Sequence, residues 1–183
     1  MLQAWWPGIW DHAAAFFFRC YMWLMNRASM QTEEQIAEWL DRADAICAAR
    51  GVRLTDIRRA VLTLVLQAAG PVGAYALLHR LKAERANAAP VTVYRALEFL
   101  QQNGLIHKVE RLNAFIACTD RNDPHPHEHA VQFLICRTCG TVAELEDGGI
   151  ARSVSDAAAA AGFQQDHATV EVEGTCAHCA TPT

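Results

Sequence analysis

Four of the chain's seven cysteines form two pairs, Cys136-Arg-Thr-Cys139 and Cys176-Ala-His-Cys179, with 36 residues between them. A CxxC brings two thiolates onto one tight turn. Two such turns can close four sulfurs around a tetrahedral Zn²⁺ at Zn–S distances of about 2.3 Å. Two disulfides or two redox pairs are the competing readings. A redox CxxC opens a helix after a strand. Here Cys136 follows the strand-like segment 131–135, but Gly140-Thr-Val then reads as a turn into another strand. A second group of metal-binding types lies upstream, in Cys118-Thr-Asp-Arg-Asn-Asp-Pro-His125-Pro-His127-Glu-His129. If that segment is extended, its alternation puts the three imidazoles on one side. The competing reading is a polar, proline-broken loop that binds nothing.

The elements that must position these groups divide at about Cys118. Gln31 to Arg50 reads as a helix, with Thr32 as N-cap, acidic residues behind it, and Ile36, Leu40, Ala43 and Cys47 at helical spacing. Cys47 reads there as a small core residue. Thr55 caps a second helix, with Ile57, Ala60, Val61, Leu64, Val65 and Ala68 on its apolar stripe. A third runs from about Ala74 to Arg85. A fourth starts at Pro90, where a missing N–H costs nothing, and stops at Asn103-Gly104. In that helix Val93, Ala96, Leu97 and Leu100 are expected to be buried, leaving Thr92, Tyr94, Arg95, Glu98 and Gln102 outward. Segments 105–109 and 114–117 then read as a hairpin. Compact helices followed by a hairpin predict a winged helix-turn-helix, with helix 90–102 for the major groove and Tyr94 and Arg95 as candidate DNA contacts. The competing reading of that pair is a solvated helix face.

Beyond Cys118, strands are expected at 131–135, 141–145 and 168–173, with an Ala-rich helix over 149–161. The fold class predicted is therefore α+β. A winged helix (30–118) leads through a hinge and metal-binding linker (119–130) to a small α/β unit (131–183) tied by a four-cysteine zinc. Such a unit has limited core, so a structural metal is plausible support.

Charge is distributed unevenly. The chain carries a net −4, but residues 30–110 hold 10 basic against 9 acidic side chains and residues 111–183 hold 4 against 10. The acidic half argues against wrapping DNA with the whole surface. The odd cysteine count fits a reducing, cytoplasmic setting better than export. Residues 1–29 are rich in Trp and Phe, but Arg19 interrupts an apolar run too short to span a bilayer, and no signal-peptide pattern is present. The expectation is a start placed upstream of the true one, with Met30 opening the folded protein. An interfacial anchor is the alternative.

The segment 90–100 with Thr92-Val-Tyr-Arg95, then His107-Lys-Val, then Cys136-x-x-Cys139-Gly140, resembles the ferric uptake regulator family over about residues 32–180, and most closely its zinc-responsive branch. The resemblance implies a homodimeric repressor of zinc-uptake genes that binds double-stranded operator DNA, with zinc as corepressor and no membrane or small-molecule substrate. It implies two zinc ions per chain. The structural zinc falls on Cys136, Cys139, Cys176 and Cys179, and the regulatory zinc on His107, Cys118, His129 and Glu144. DNA contacts fall on Tyr94 and Arg95, with Thr92 beside them. His125 and His127 compete with His129, or start another site with His167.

The chemistry agrees with a zinc sensor. Where iron- and manganese-sensing relatives carry His-His-Asp-His, this chain has Ala130-Val-Gln-Phe133. A thiolate with imidazole and carboxylate favours Zn²⁺ over Fe²⁺ or Mn²⁺. An iron- or peroxide-sensing regulator of the same family is the nearer alternative. A zinc hydrolase or deaminase is the distant one. Deaminases need H-x-E with P-C-x-x-C, and neither pattern occurs here. No enzyme activity is expected.

Overall fold

The computed structural model describes residues 32–118, 131–145 and 147–180. The expectations for segment 1–29 and for His125, His127 and His129 lie outside the described residues.

Helix α1 (Glu33–Ala49) opens with a capping box: the Gln35 N–H donates to the Thr32 hydroxyl at 3.3 Å, and the Thr32 N–H donates to Gln35 Oε1 at 3.0 Å. Its inner face buries Ile36, Ala43 and Cys47. Burial pushes the Cys47 thiol pKa up, as befits a core residue. Helix α2 (Asp56–Leu66) follows; Thr55 holds its N-cap position without a side-chain capping bond. Strand β1 (Val72–Gly73), helix α3 (Ala74–Glu84) and helix α4 (Pro90–Gln102) come next. Proline begins α4 as expected, and Gly104 beyond its end adopts φ +67°, where a side chain would be strained. Strands β2 (Ile106–Val109) and β3 (Ala114–Ala117) are joined by a 3₁₀ turn, Glu110–Leu112, and by Asn113 at φ +45°.

The wing is a three-stranded sheet of order β1-β3-β2, larger than the expected hairpin. Two residues, Val72 and Gly73, pair antiparallel with Phe115 and Ala114. An element that short carries no periodicity to read. The first core packs Val61, Leu62, Leu77, Leu81, Val93 and Leu97 among the four helices, with Ile106 of the wing against them.

The second sheet has the order β5-β4-β6, from β4 (Val131–Cys136), β5 (Val142–Leu145) and β6 (Thr169–Gly174). Strand β4 runs antiparallel to β5 and parallel to β6. The parallel pairing requires a crossover, which helix α5 (Gly148–Ala160) supplies. Asp147 caps α5, its Oδ1 accepting from the Gly149 and Ile150 N–H groups at 2.7 and 3.0 Å. A short helix, α6 (Ala177–Ala180), ends the described chain.

A second, smaller core joins Val109 and Ile116 of the wing to Phe133, Ile135 and Val142 of this sheet. The wing therefore belongs to two cores at once. Helix α5, by contrast, buries none of its residues.

Candidate metal centres and nucleic-acid interface

The two cysteine pairs arise from different local structures. Cys136 ends β4 and Cys139 lies on the turn after it, where Gly140 adopts φ +72° and its N–H donates to the Cys136 carbonyl at 2.9 Å. That left-handed residue lets the chain double back into β5, with Cys136 N–H bonded to the Thr141 carbonyl. Cys176 follows β6, and Cys179 sits in α6. The second pair thus does open a short helix after a strand. The parallel pairing of β4 and β6 brings Cys136 level with Gly174, so both turns emerge at the same end of the sheet.

One donor atom from each of Cys136, Cys139, Cys176 and Cys179 lies within 4.8 Å of the others. Cys139 and Cys176 sulfurs are 3.8 Å apart. A disulfide would hold them at about 2.05 Å. A tetrahedron with arms of about 2.3 Å has edges of about 3.8 Å. The four cysteines are free, and their sulfurs lie close enough for one tetrahedral ion to bridge them. Backbone N–H groups of Cys176, Cys139 and Thr138 pull the Cys136 pKa down to about 5, against a smaller opposing effect of burial. Hydrogen bonding with Cys176, burial and the other neighbouring sulfurs push Cys179 up to about 12. Further negative charge beside the Cys136 thiolate is resisted until a cation shares the site.

The second donor group forms where the two halves meet. His107 comes from β2, Cys118 directly follows β3, and Glu144 comes from β5. Antiparallel pairing of β2 with β3 sets Ile106 opposite Ala117, which holds Cys118 beside the wing's base. One donor atom from each of the three lies within 4.8 Å of the other two. His107 Nε2 is 3.2 Å from Glu144 Oε1, with side chains 12% and 6% exposed. Nε2 is nonetheless buried without a well-directed hydrogen bond. Nitrogen and oxygen donors on a tetrahedral zinc, at about 2.0 Å each, stand about 3.3 Å apart. Burial disfavours charge on His107, but Cys118 and Glu144 outweigh it and raise the pKa to about 10. The pocket favours positive charge on its nitrogen, and its mix of imidazole, thiolate and carboxylate donor types is one that can hold a divalent metal ion.

His167 belongs to neither donor group among the described residues. It is exposed and lines, with His107, Lys108, Glu98, Gln101 and Gln102, a cleft of about 580 Å³ between α4 and the second sheet.

On α4 the buried stripe is Val93, Ala96, Leu97 and Leu100, as the spacing predicts. Tyr94 and Arg95 are exposed and Thr92 is half-buried. Tyr75, in the first turn of α3, is an aromatic side chain 76% exposed that no motif singles out. Its signal was available: it falls off the Leu77, Leu78 and Leu81 stripe. Arg58 stacks on Phe99 at 3.5 Å from the ring centroid and so braces α4 against α2.

A winged helix-turn-helix fused to a sheet with a four-cysteine cluster, and a mixed donor set at their junction, defines the class of metal-dependent winged-helix regulators. The chain belongs to the ferric uptake regulator family, whose sequence profile matches residues 49–173. It is 40% identical over 142 residues to the zinc uptake regulation protein of Escherichia coli (strain K12), covering 78% of this chain and 81% of that one. It is 30% identical over 134 residues to the zinc uptake regulation protein of Mycobacterium tuberculosis, covering 72% and 97%. Among solved structures, a zinc uptake regulator complexed with zinc and DNA superposes with a TM-score of 0.74 at 39% identity, covering 81% of this chain and 96% of that one. A holo form named XcZur gives 0.70 at 45% identity, covering 78% and 97%.

Proposed function

We propose that this chain is a zinc-responsive repressor of zinc-uptake genes, acting as a cytoplasmic homodimer on double-stranded operator DNA, with zinc as corepressor and no enzymatic role. One observation carries the reading: imidazole, thiolate and carboxylate donors from the wing, its terminal strand and the second sheet converge at the interdomain junction. Relatives named zinc uptake regulators, one solved with zinc and DNA, support it.

Each chain takes two zinc ions, one per donor group. The four cysteines hold a structural ion that ties β4 to the segment after β6. His107, Cys118 and Glu144 hold the regulatory ion, with a fourth donor from His129, or from His125 or His127. Domain limits of 30–118, 119–130 and 131–183 fit this division of labour.

Dimerisation uses the second unit. Helix α5 has no fully buried residue, β6 is an edge strand, and Ile150, Phe163 and Val172 are 37%, 69% and 51% exposed. A second copy covers such surface. In the dimer the two α4 helices reach major-groove half-sites about one helical turn, or a multiple of ~34 Å, apart. Tyr94 and Arg95 meet bases or phosphates. His107, Cys118 and Glu144, once drawn onto one ion, fix the wing and its helices against the dimer body. Zinc then favours the DNA-competent state, and DNA tightens zinc in return.

Among the described residues no helix is long and apolar enough to cross a membrane.

Selection from random duplexes, with zinc and after chelation of exchangeable zinc, tests the reading. Enrichment of a two-fold symmetric site only with zinc is expected. Enrichment of the same site in both arms, or of none, contradicts it.

A further inference from the structure

The wing is gripped by the second sheet at a place that involves neither donor group. Glu171, on β6, accepts two backbone hydrogen bonds from the wing's 3₁₀ turn: Glu110 N–H at 2.6 Å to Oε1 and Arg111 N–H at 3.0 Å to Oε2. These N–H groups open the turn, where no intrahelical partner is available. A carboxylate bonded to two successive N–H groups fixes both the position and the orientation of the turn. Arg111 Nε also donates to Glu173 Oε1 at 2.9 Å, but Arg111 is 65% exposed, and a pair of that kind contributes little.

The sheet register places this grip. Phe133 is the partner of Glu144 on one side and of Glu171 on the other. Side chains of register partners share a face, so Glu144, Phe133 and Glu171 form one row beneath the wing, the two glutamate backbones about 10 Å apart across two strand spacings. Phe133 packs with Val109 and Ile116 of the wing. One carboxylate of the row meets His107; the other holds the turn that begins three residues later.

We infer that Glu171 is a positioning residue for metal response: it docks the wing on the sheet before the regulatory ion binds, so that His107 and Cys118 already face Glu144. This rests on the zinc-dependent reading above. Without Glu171 the docked state is a smaller fraction of the metal-free protein. Apparent zinc affinity falls by that fraction, while the fully loaded state is unaltered.

The test uses the full chain with its four-cysteine zinc in place, as wild type, Glu171→Ala, the isosteric Glu171→Gln, which keeps one acceptor oxygen, and Glu173→Gln as control. The first readout is hydrogen exchange of the Glu110 and Arg111 amides without exchangeable zinc. About tenfold or faster exchange in Glu171→Ala is expected, with Glu171→Gln intermediate and Glu173→Gln near wild type. The second is zinc-titrated DNA binding. The half-maximal zinc concentration should rise about fivefold or more in Glu171→Ala, while DNA affinity at saturating zinc stays within about twofold of wild type. Should Glu171→Ala fail to fold, the same directions in Glu171→Gln decide. Unchanged amide exchange, or an unmoved zinc curve, overturns the inference. A DNA affinity lowered equally at all zinc concentrations also overturns it, by making the role purely structural. Wild-type DNA binding that ignores zinc sinks the functional reading itself, a pattern distinct from any variant effect.

Discussion

His107 Nε2, on the wing, stands 3.2 Å from Glu144 Oε1, on the second sheet. Both side chains are withdrawn from solvent, and the nitrogen lacks a well-directed hydrogen bond. Cys118, 5% exposed, supplies the third donor. Three donors from two different sheets meet here within 4.8 Å of one another, which is the geometry the proposed zinc response needs.

Replacing Cys118 by Ser keeps the fold and the four-cysteine zinc but removes the soft donor. Regulatory zinc affinity should fall by more than the ~10–100-fold typical for loss of an outer partner. DNA binding should then lose the wild-type response to zinc while circular dichroism is unchanged. A wild-type zinc response in this variant would remove Cys118 from the site.

Cys136→Ser should act on stability instead. Structural zinc sites of this kind contribute on the order of 10 kcal/mol, comparable with the whole stability of a small domain. Thermal unfolding should show early loss of the second unit, and sedimentation should show loss of dimer. Melting and sedimentation matching wild type would argue against an ion at these cysteines.

Arg95→Ala is expected to weaken operator binding by about 5–150-fold, the equivalent of 1–3 kcal/mol for one good base contact. Zinc content per chain should stay at the wild-type value. A normal gel shift at moderate salt would reject Arg95 as a contact.

His107 gives a pH dependence. Its pKa is raised from 6.5 to about 10 in the metal-free fold. Its protonated form therefore stabilises that fold fully below pH 6.5, and this contribution is lost as pH rises through about 10. Zinc must displace the same proton, so regulatory zinc binding strengthens across this window. Titration calorimetry at pH 8 in two buffers of different ionisation enthalpy should show proton release, smaller in His107→Ala. Equal proton release in both proteins would contradict the assignment.

The sequence exposed the helices well because their buried stripes recur at helical spacing and their ends carry chemical marks. Thr32, Pro90 and Asn103-Gly104 are such marks, and the structure bears each out. The cysteine pairs were legible because CxxC spacing is local. Nothing local links His107, Cys118 and Glu144; the family resemblance, not spacing, singled them out together, and the fold does bring them to one point. Strand β1 was missed because two residues show no pattern, and Glu171 because its partners are backbone N–H groups 60 and 61 residues away. The core shared by Val109, Ile116 and Phe133 was hidden for the same reason. Alternation marks a residue as inward but not what it faces.

In the proposed mechanism the junction ion sets DNA affinity. Its most direct test is a zinc titration of the purified dimer with bound metal counted per chain and operator binding followed in the same samples. Operator binding is expected to stay low at one zinc per chain and to rise as the second binds. Full operator affinity with only the cysteine-bound zinc in place would contradict it.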